Sequence, residues 1–230
     1  MAAALILDVL KNLTLTFATL FPIINPLGVS PIFLDLTRAY PDAIRRLLAR
    51  KIALYGFLLL GGSLAIGSAV LAFFGISLPI VQIAGGLILA NAGWKMLNQE
   101  SGQSSDGPAT GSLESALRHA FYPLTLPLTV GPGCISVTVA FGAHIRQQST
   151  EAHIDYIPAF LGALAGMALV SIALLLCYRH AARVAGFLGP SGTNIVVRLS
   201  AFLLLAMGVQ IIWNGFSSSL TPLLNHAGAA

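Results

Sequence analysis

Charge is what this sequence has least of. Only 9% of its 230 residues are Asp, Glu, Lys or Arg, against about 25% in a soluble domain. Hydrophobic residues make up 56%, and the mean hydropathy is +0.84. A water-soluble fold is excluded, and an integral membrane protein with little mass outside the bilayer is predicted. Cysteine is nearly absent. Cys134 and Cys177 stand far apart, form no C-x-x-C and read as small buried hydrophobes. His119, His144, His153 and His180 are too scattered for a metal site, so no metal or cofactor is expected beyond an ion that drives transport. No nucleophile–base–acid set is visible, which argues against an enzyme. No basic stretch precedes the first apolar run and no cleavage site follows it, so the N-terminus is expected to be retained.

Long apolar runs are what the chain has instead. Six are read, at about 5–37, 52–74, 79–98, 114–143, 157–177 and 195–216. Four have the length that crosses ~30 Å of hydrocarbon as a helix. The first and fourth are longer. The twelve Lys and Arg residues divide unevenly between the two ends of these runs. Ten fall on one side, and Lys11 and Arg146 fall on the other. The positive-inside rule puts the ten in the cytoplasm and both termini in the periplasm. The +4 net charge therefore serves topology, and nucleic acid is not an expected partner. Asp35, the acid nearest the first Pro-rich stretch, is expected to pair with Arg38 at (i, i+3).

Proline is concentrated in the two long runs. Residues 21–31 read F-P-I-I-N-P-L-G-V-S-P, and residues 122–132 read Y-P-L-T-L-P-L-T-V-G-P. At an offset of 101, Pro22, Pro26 and Pro31 align with Pro123, Pro127 and Pro132. Three prolines in eleven residues cannot be an ordinary helix interior, because each removes a donor and frees a carbonyl. The freed carbonyls belong to Ala18, Pro22 and Leu27, and to His119, Pro123 and Leu128. Between the copies lies the polar Gly/Ser-rich stretch 99–112, which reads as a linker.

An all-α membrane fold follows, with six helices in two inverted three-helix repeats. The first repeat spans 1–98, a cytoplasmic linker 99–113, and the second repeat 114–230. Helices 1 and 4 are expected to be broken near 22–31 and 123–132, with the breaks facing each other at the midplane, where such transporters bind substrate. Asn25-Pro26 and Ser30-Pro31 read as a capping residue followed by the first helical position, and Gly131-Pro132-Gly133 can do the same with backbone alone. A new helix N-terminus offers N–H groups and a positive dipole end, while the ended helix offers carbonyls. That combination suits a zwitterion such as a small amino acid.

The candidate substrate-binding residues are Pro22, Asn25, Pro26, Gly28, Ser30, Pro31, Asn91, Thr125, Pro127, Thr129, Gly131, Pro132 and Gly133. Plainer readings stand beside them. Pro kinks often serve packing alone, Asn25 can be simply a cap, Thr often bonds its own helix, and Asn91 can bind a neighbouring helix. Gly131 is expected where ligand and backbone meet closely or where φ is positive. Gly162 and Gly166 form a G-x-x-x-G that reads as helix packing.

The phrases at 21–37 and 121–133, together with G-G-L-I-L-A-N-A-G-W-K-M-L at 85–97, resemble the MarC family of six-span inner-membrane proteins. The resemblance covers essentially the whole chain. It implies a bacterial inner-membrane protein related to LysE-type exporters. Some members carry a multiple-antibiotic-resistance name, and others, of the SnatA type, are described as transporters of neutral amino acids such as glycine and alanine. The leading expectation is a secondary transporter of small neutral amino acids driven by Na⁺ or H⁺. An exporter of drugs or other amphiphiles and a non-transporting structural protein are the alternatives. A thiol-redox carrier is disfavoured, since Phe33 stands where a partner for Cys134 would be needed. Expected partners are a small zwitterionic substrate and the lipid bilayer; homo-oligomer formation, coupling ion and transport direction stay open.

Overall fold

The computed structural model describes residues 2–98, 113–151 and 156–227. No strand occurs among the described residues. The helices are α1 (Ala2–Ile24), α2 (Pro26–Leu36), α3 (Asp42–Phe73), α4 (Leu78–Asn98), α5 (Leu113–His119), α6 (Pro132–Glu151), α7 (Tyr156–Arg179) and α8 (Ala181–Ala227). An irregular segment, Ala120–Thr129, joins α5 to α6. The expected linker lies outside the described residues, apart from Leu113, which opens α5.

Among the described residues, five stretches are long and apolar enough to cross a membrane: Leu5–Ile24, Asp42–Phe73, Leu78–Asn98, Tyr156–Arg179 and Ser191–Leu220. Leu113–Thr129 and Pro132–Gln147, bent by 70° at their junction, together make a sixth. Outward side chains such as Leu54, Leu58, Ile66, Ile172, Leu176 and Phe202 are exposed. An exposed apolar belt of this kind needs hydrocarbon around it. In lipid, helix association depends on close backbone approach, which small residues allow. A methyl group on Gly162 or Gly166 would collide with the Val9 or Leu13 carbonyl, so the G-x-x-x-G of α7 seats α1. Gly86 and Gly93 of α4 meet the α8 backbone at Gly208 and Leu205 in the same way. Gly142 of α6 meets the Leu64 carbonyl of α3.

Helix ends follow local chemistry. Gly75, at φ 67°, terminates α3, with Ile76 N–H bonding the Leu71 carbonyl (2.9 Å) and Gly75 N–H the Ala72 carbonyl (3.1 Å). This double bond pattern with glycine in the left-handed region is a Schellman stop. The stretch 178–194, which separates the last two apolar runs in the sequence, is largely helical. Strong helix formers at 181–185 carry the helix, and only Gly189 (φ 64°, ψ 177°) interrupts it. That backbone region is open to glycine and little else.

Candidate functional site

The first Pro phrase is interrupted at a single residue. Asn25 adopts φ 51°, ψ 60°, in the left-handed region that Asn tolerates better than most residues. Its Oδ1 accepts from Gly28 N–H (3.1 Å), capping α2, and its carbonyl accepts from Val29 N–H (3.0 Å). Pro26 occupies the first helical position, where no N–H is needed. Unwinding across 22–31 is therefore not what occurs. Pro22 lies inside α1 and Pro31 inside α2. The Leu27 carbonyl freed by Pro31 is taken by the Ser30 hydroxyl (3.1 Å), which keeps the helix intact through the proline.

The second phrase is irregular over a longer stretch. Tyr122 and Leu126 have extended backbone, at φ −122°, ψ 125° and φ −117°, ψ 119°. Val130 is extended as well. Two threonine hydroxyls reinforce this stretch by bonding carbonyls one turn back. Thr125 Oγ1 donates to the Ala120 carbonyl and Thr129 Oγ1 to the Leu124 carbonyl, both at 2.7 Å. The next helix starts after Gly131, whose carbonyl accepts from Ile135 N–H (3.3 Å). Gly131 thus holds the capping position for α6 that Asn25 holds for α2, without a side chain to cap with.

Tertiary contacts tie the two phrases together. α1 touches α6, and α2 touches the 120–129 segment. Tyr178 of α7 is fully buried between the phrases. Its ring stacks on Phe33 of α2 at 4.2 Å, nearly parallel, and its hydroxyl lies 2.9 Å from Thr129 Oγ1. Because the single Thr129 proton is directed at Leu124, the Tyr178 hydroxyl is the donor in that pair. On the other side, Ser200 Oγ of α8 donates to Asn25 Oδ1 (3.1 Å). Gly28 is buried under this bond, and a methyl there would collide with Asn25 Nδ2 and Ser200 Oγ.

Among the described residues, two of the cavities lie toward opposite ends of the helices. One, of about 270 Å³, is bounded by α1, α4, α6 and α8 and approaches the first break at Ile23. Its polar lining is Thr19, Gln82, Gln210 and Asn214, with Val137 and Met207 among the apolar walls. No charged side chain lines it. Gln210 Nε2 donates to Asn214 Oδ1 (2.9 Å). A narrow recess beside it holds Thr16 and Thr138, and Thr16 Oγ1 is buried there with no hydrogen-bond partner. The other cavity, of about 290 Å³, opens between the start of α3 and the α7–α8 junction, with Tyr178 at its wall.

The residues singled out from the sequence distribute unequally over this geometry. Asn25 and Gly28 meet α8 at the first break, and Ser30, Thr125 and Thr129 are buried with their hydroxyls bonded. Pro127, Gly131, Pro132 and Gly133 lie along the second phrase. A methyl on Gly133 would press on Leu89 of α4 (3.0 Å), whereas one on Gly131 would meet only the Pro127 carbonyl, at an ordinary 3.5 Å. Gly131 does not have positive φ, so the tight glycine is Gly28 instead. Asn91 is exposed on α4 and lines neither cavity. Tyr178, Ser200, Gln82, Gln210 and Asn214 were not foreseen. The amides stand out within apolar runs, a signal the sequence did carry. Asp35 and Arg38 pair at 3.5 Å on the surface, as their spacing suggested.

A family model described as MarC family integral membrane protein matches residues 10–220. The chain belongs to the MarC family. Relatives include the UPF0056 inner membrane protein MarC of Escherichia coli strain K12 and of Escherichia coli O1:K1. Each is 34% identical over 215 residues, covering 91% of this chain and 96% of the relative. No solved structure matches. With its apolar helices, this MarC-family chain is a multi-pass inner-membrane protein.

Proposed function

We propose that this MarC-family protein is a secondary transporter of small neutral amino acids, driven by a Na⁺ or H⁺ gradient. The observation that carries the reading is the largely apolar cavity of about 270 Å³ beside the Asn25 break, whose few polar groups are uncharged and include the amides of Gln82, Gln210 and Asn214. Side-chain amides offer donors and acceptors together, which suits both poles of a zwitterion without favouring a net charge. The volume of about 270 Å³ lies at the lower edge of the ~300–1,000 Å³ typical of ligand pockets, which accommodates a small solute. From the cavity the substrate would reach the midplane at Asn25, Gly28 and Ser30 on one side and Thr125–Gly133 on the other.

The element contacts support an inverted repeat. Exchanging the halves turns the packing of α2 on α8 into that of α6 on α4, and the packing of α1 on α7 into that of the 120–129 segment on α3; all four occur. The partnerless Thr16 hydroxyl beside the cavity is a group from which the shell of a coupling ion could be built.

The experiment is uptake and efflux of labelled glycine, alanine and serine by purified protein in liposomes, with imposed Na⁺ or pH gradients. Gradient-dependent flux that falls at least tenfold in Gln210→Leu is expected. No flux of any of the three, with correctly inserted protein, overturns the reading. Cysteine labelling at Gln148 from the periplasm and at Ser104 from the cytoplasm tests the orientation.

A further inference from the structure

The second cavity is lined by charge, unlike the first. Arg45 and Arg46 enter it from the first two turns of α3, and Arg179, His180 and Arg183 from the α7–α8 corner. The corner is tight: His180 N–H bonds the Leu176 carbonyl to end α7, and its own carbonyl accepts from Arg183 (2.8 Å) and Val184 (2.9 Å) to begin α8. Ala181 and Ala182 therefore bring the positive end of α8 to the same wall.

Four guanidiniums face one carboxylate there, and that carboxylate is already committed. Asp42 pairs with Arg45 Nη1 at 2.7 Å. Arg45 Nη2 reaches the Thr37 and Tyr40 carbonyls (3.4 and 3.2 Å), while its Nε is buried without an acceptor. Arg46, Arg179 and Arg183 are exposed and form no ion pair among the described residues. Topology requires basic residues at this end of the spans but does not require them to converge. Arg38 and Arg118 show the ordinary alternative, each paired with an acid on its own segment at the surface.

A group with several acceptor oxygens would complement these donors, and guanidinium forks match phosphate in geometry. Its level in the membrane narrows the source. The apolar run of α3 begins at Ile52, six residues or about 9 Å of helix beyond Arg46, and that of α7 ends at Cys177, two residues before Arg179. The pocket therefore lies at headgroup depth, where basic pockets between helices bind anionic lipids. Phe187, 92% exposed on the same short stretch of α8, supplies an apolar side chain of the kind that enters the headgroup–acyl boundary. We infer that this pocket binds the phosphodiester headgroup of an anionic phospholipid. The inference is independent of what the protein transports.

The test is native mass spectrometry of the full-length protein with phosphatidylglycerol, phosphatidylcholine or inorganic phosphate added. Wild type should retain phosphatidylglycerol in preference to phosphatidylcholine. The variant Arg46→Gln/Arg179→Gln/Arg183→Gln should bind it about tenfold more weakly or worse. The variant Arg38→Gln/Arg50→Gln/Arg118→Gln, which removes the same charge from the same end, should bind like wild type. Equal loss in both variants would reduce the effect to general surface charge and overturn the site. Should the pocket variant fail to insert, the wild-type lipid comparison still decides: no preference for phosphatidylglycerol overturns the inference. Displacement of the lipid by low-millimolar inorganic phosphate overturns the lipid assignment in favour of a soluble anion.

Discussion

In the first Pro phrase the helix is interrupted by one residue; in the second it is irregular from Tyr122 to Gly131. The proline spacing is the same, so proline alone does not set the extent of a break. The difference lies in what stands between the prolines. Asn25 tolerates the left-handed region and carries its own cap, so the chain turns and restarts at once. Its counterpart Leu126 can do neither, and the backbone stays extended. Thr125 and Thr129 add hydroxyl bonds to the Ala120 and Leu124 carbonyls, and the new helix waits for Gly131-Pro132. A duplicated motif has become one compact, side-chain-capped break and one long break held by hydroxyls.

The largest effect that separates the two breaks is expected at glycine. Gly28→Ala should destabilise by about 1–3 kcal/mol, since the methyl forces Asn25 and Ser200 apart. Gly131→Ala should be close to neutral, with its nearest atom at 3.5 Å. Thermal unfolding in detergent measures both; equal losses would erase the distinction. Next comes the cap. Asn25→Ala should cost about 0.5–2 kcal/mol and exceed Ser200→Ala, because Asn25 retains its bond to Gly28 in the latter. If Ser200→Ala is the worse of the two, the link to α8 matters more than the cap. Smaller still is Tyr178→Phe, which keeps the stack on Phe33 and removes only the bond to Thr129. Buried hydrogen bonds within membranes average about 0.6 kcal/mol and reach ~1.7. A double-mutant cycle with Thr129→Val should show coupling of that size, and no coupling would mean the second phrase does not depend on α7. Asn91→Leu should change stability by less than about 0.5 kcal/mol, and liposome flux should be unchanged, since Asn91 lines neither cavity.

Much of the architecture was legible because bilayer physics writes it in single residues. A scarcity of charge and long apolar runs require spanning helices. Paired glycines such as Gly162 and Gly166 mark close helix contacts, and Pro26 after Asn25 marks a helix start. The site was less legible. Ser30, Thr125 and Thr129 looked available to a ligand because sequence shows a hydroxyl but not the carbonyl it bonds. Gly131 looked tight because its neighbours in space were unknown. Gln82, Gln210 and Asn214 come from two runs more than a hundred residues apart, and no local pattern pairs them.

The sequence by itself determined the membrane class, the family, the spans and the places where helices must be interrupted, because these depend on hydropathy, on proline's missing donor and on local capping. Tertiary structure alone decided how long each break is, which hydroxyls are already bonded, and which charges and amides share a cavity. Those outcomes depend on groups brought together by α7 and α8, where Tyr178 and Ser200 reach back to phrases 49 and 175 residues earlier.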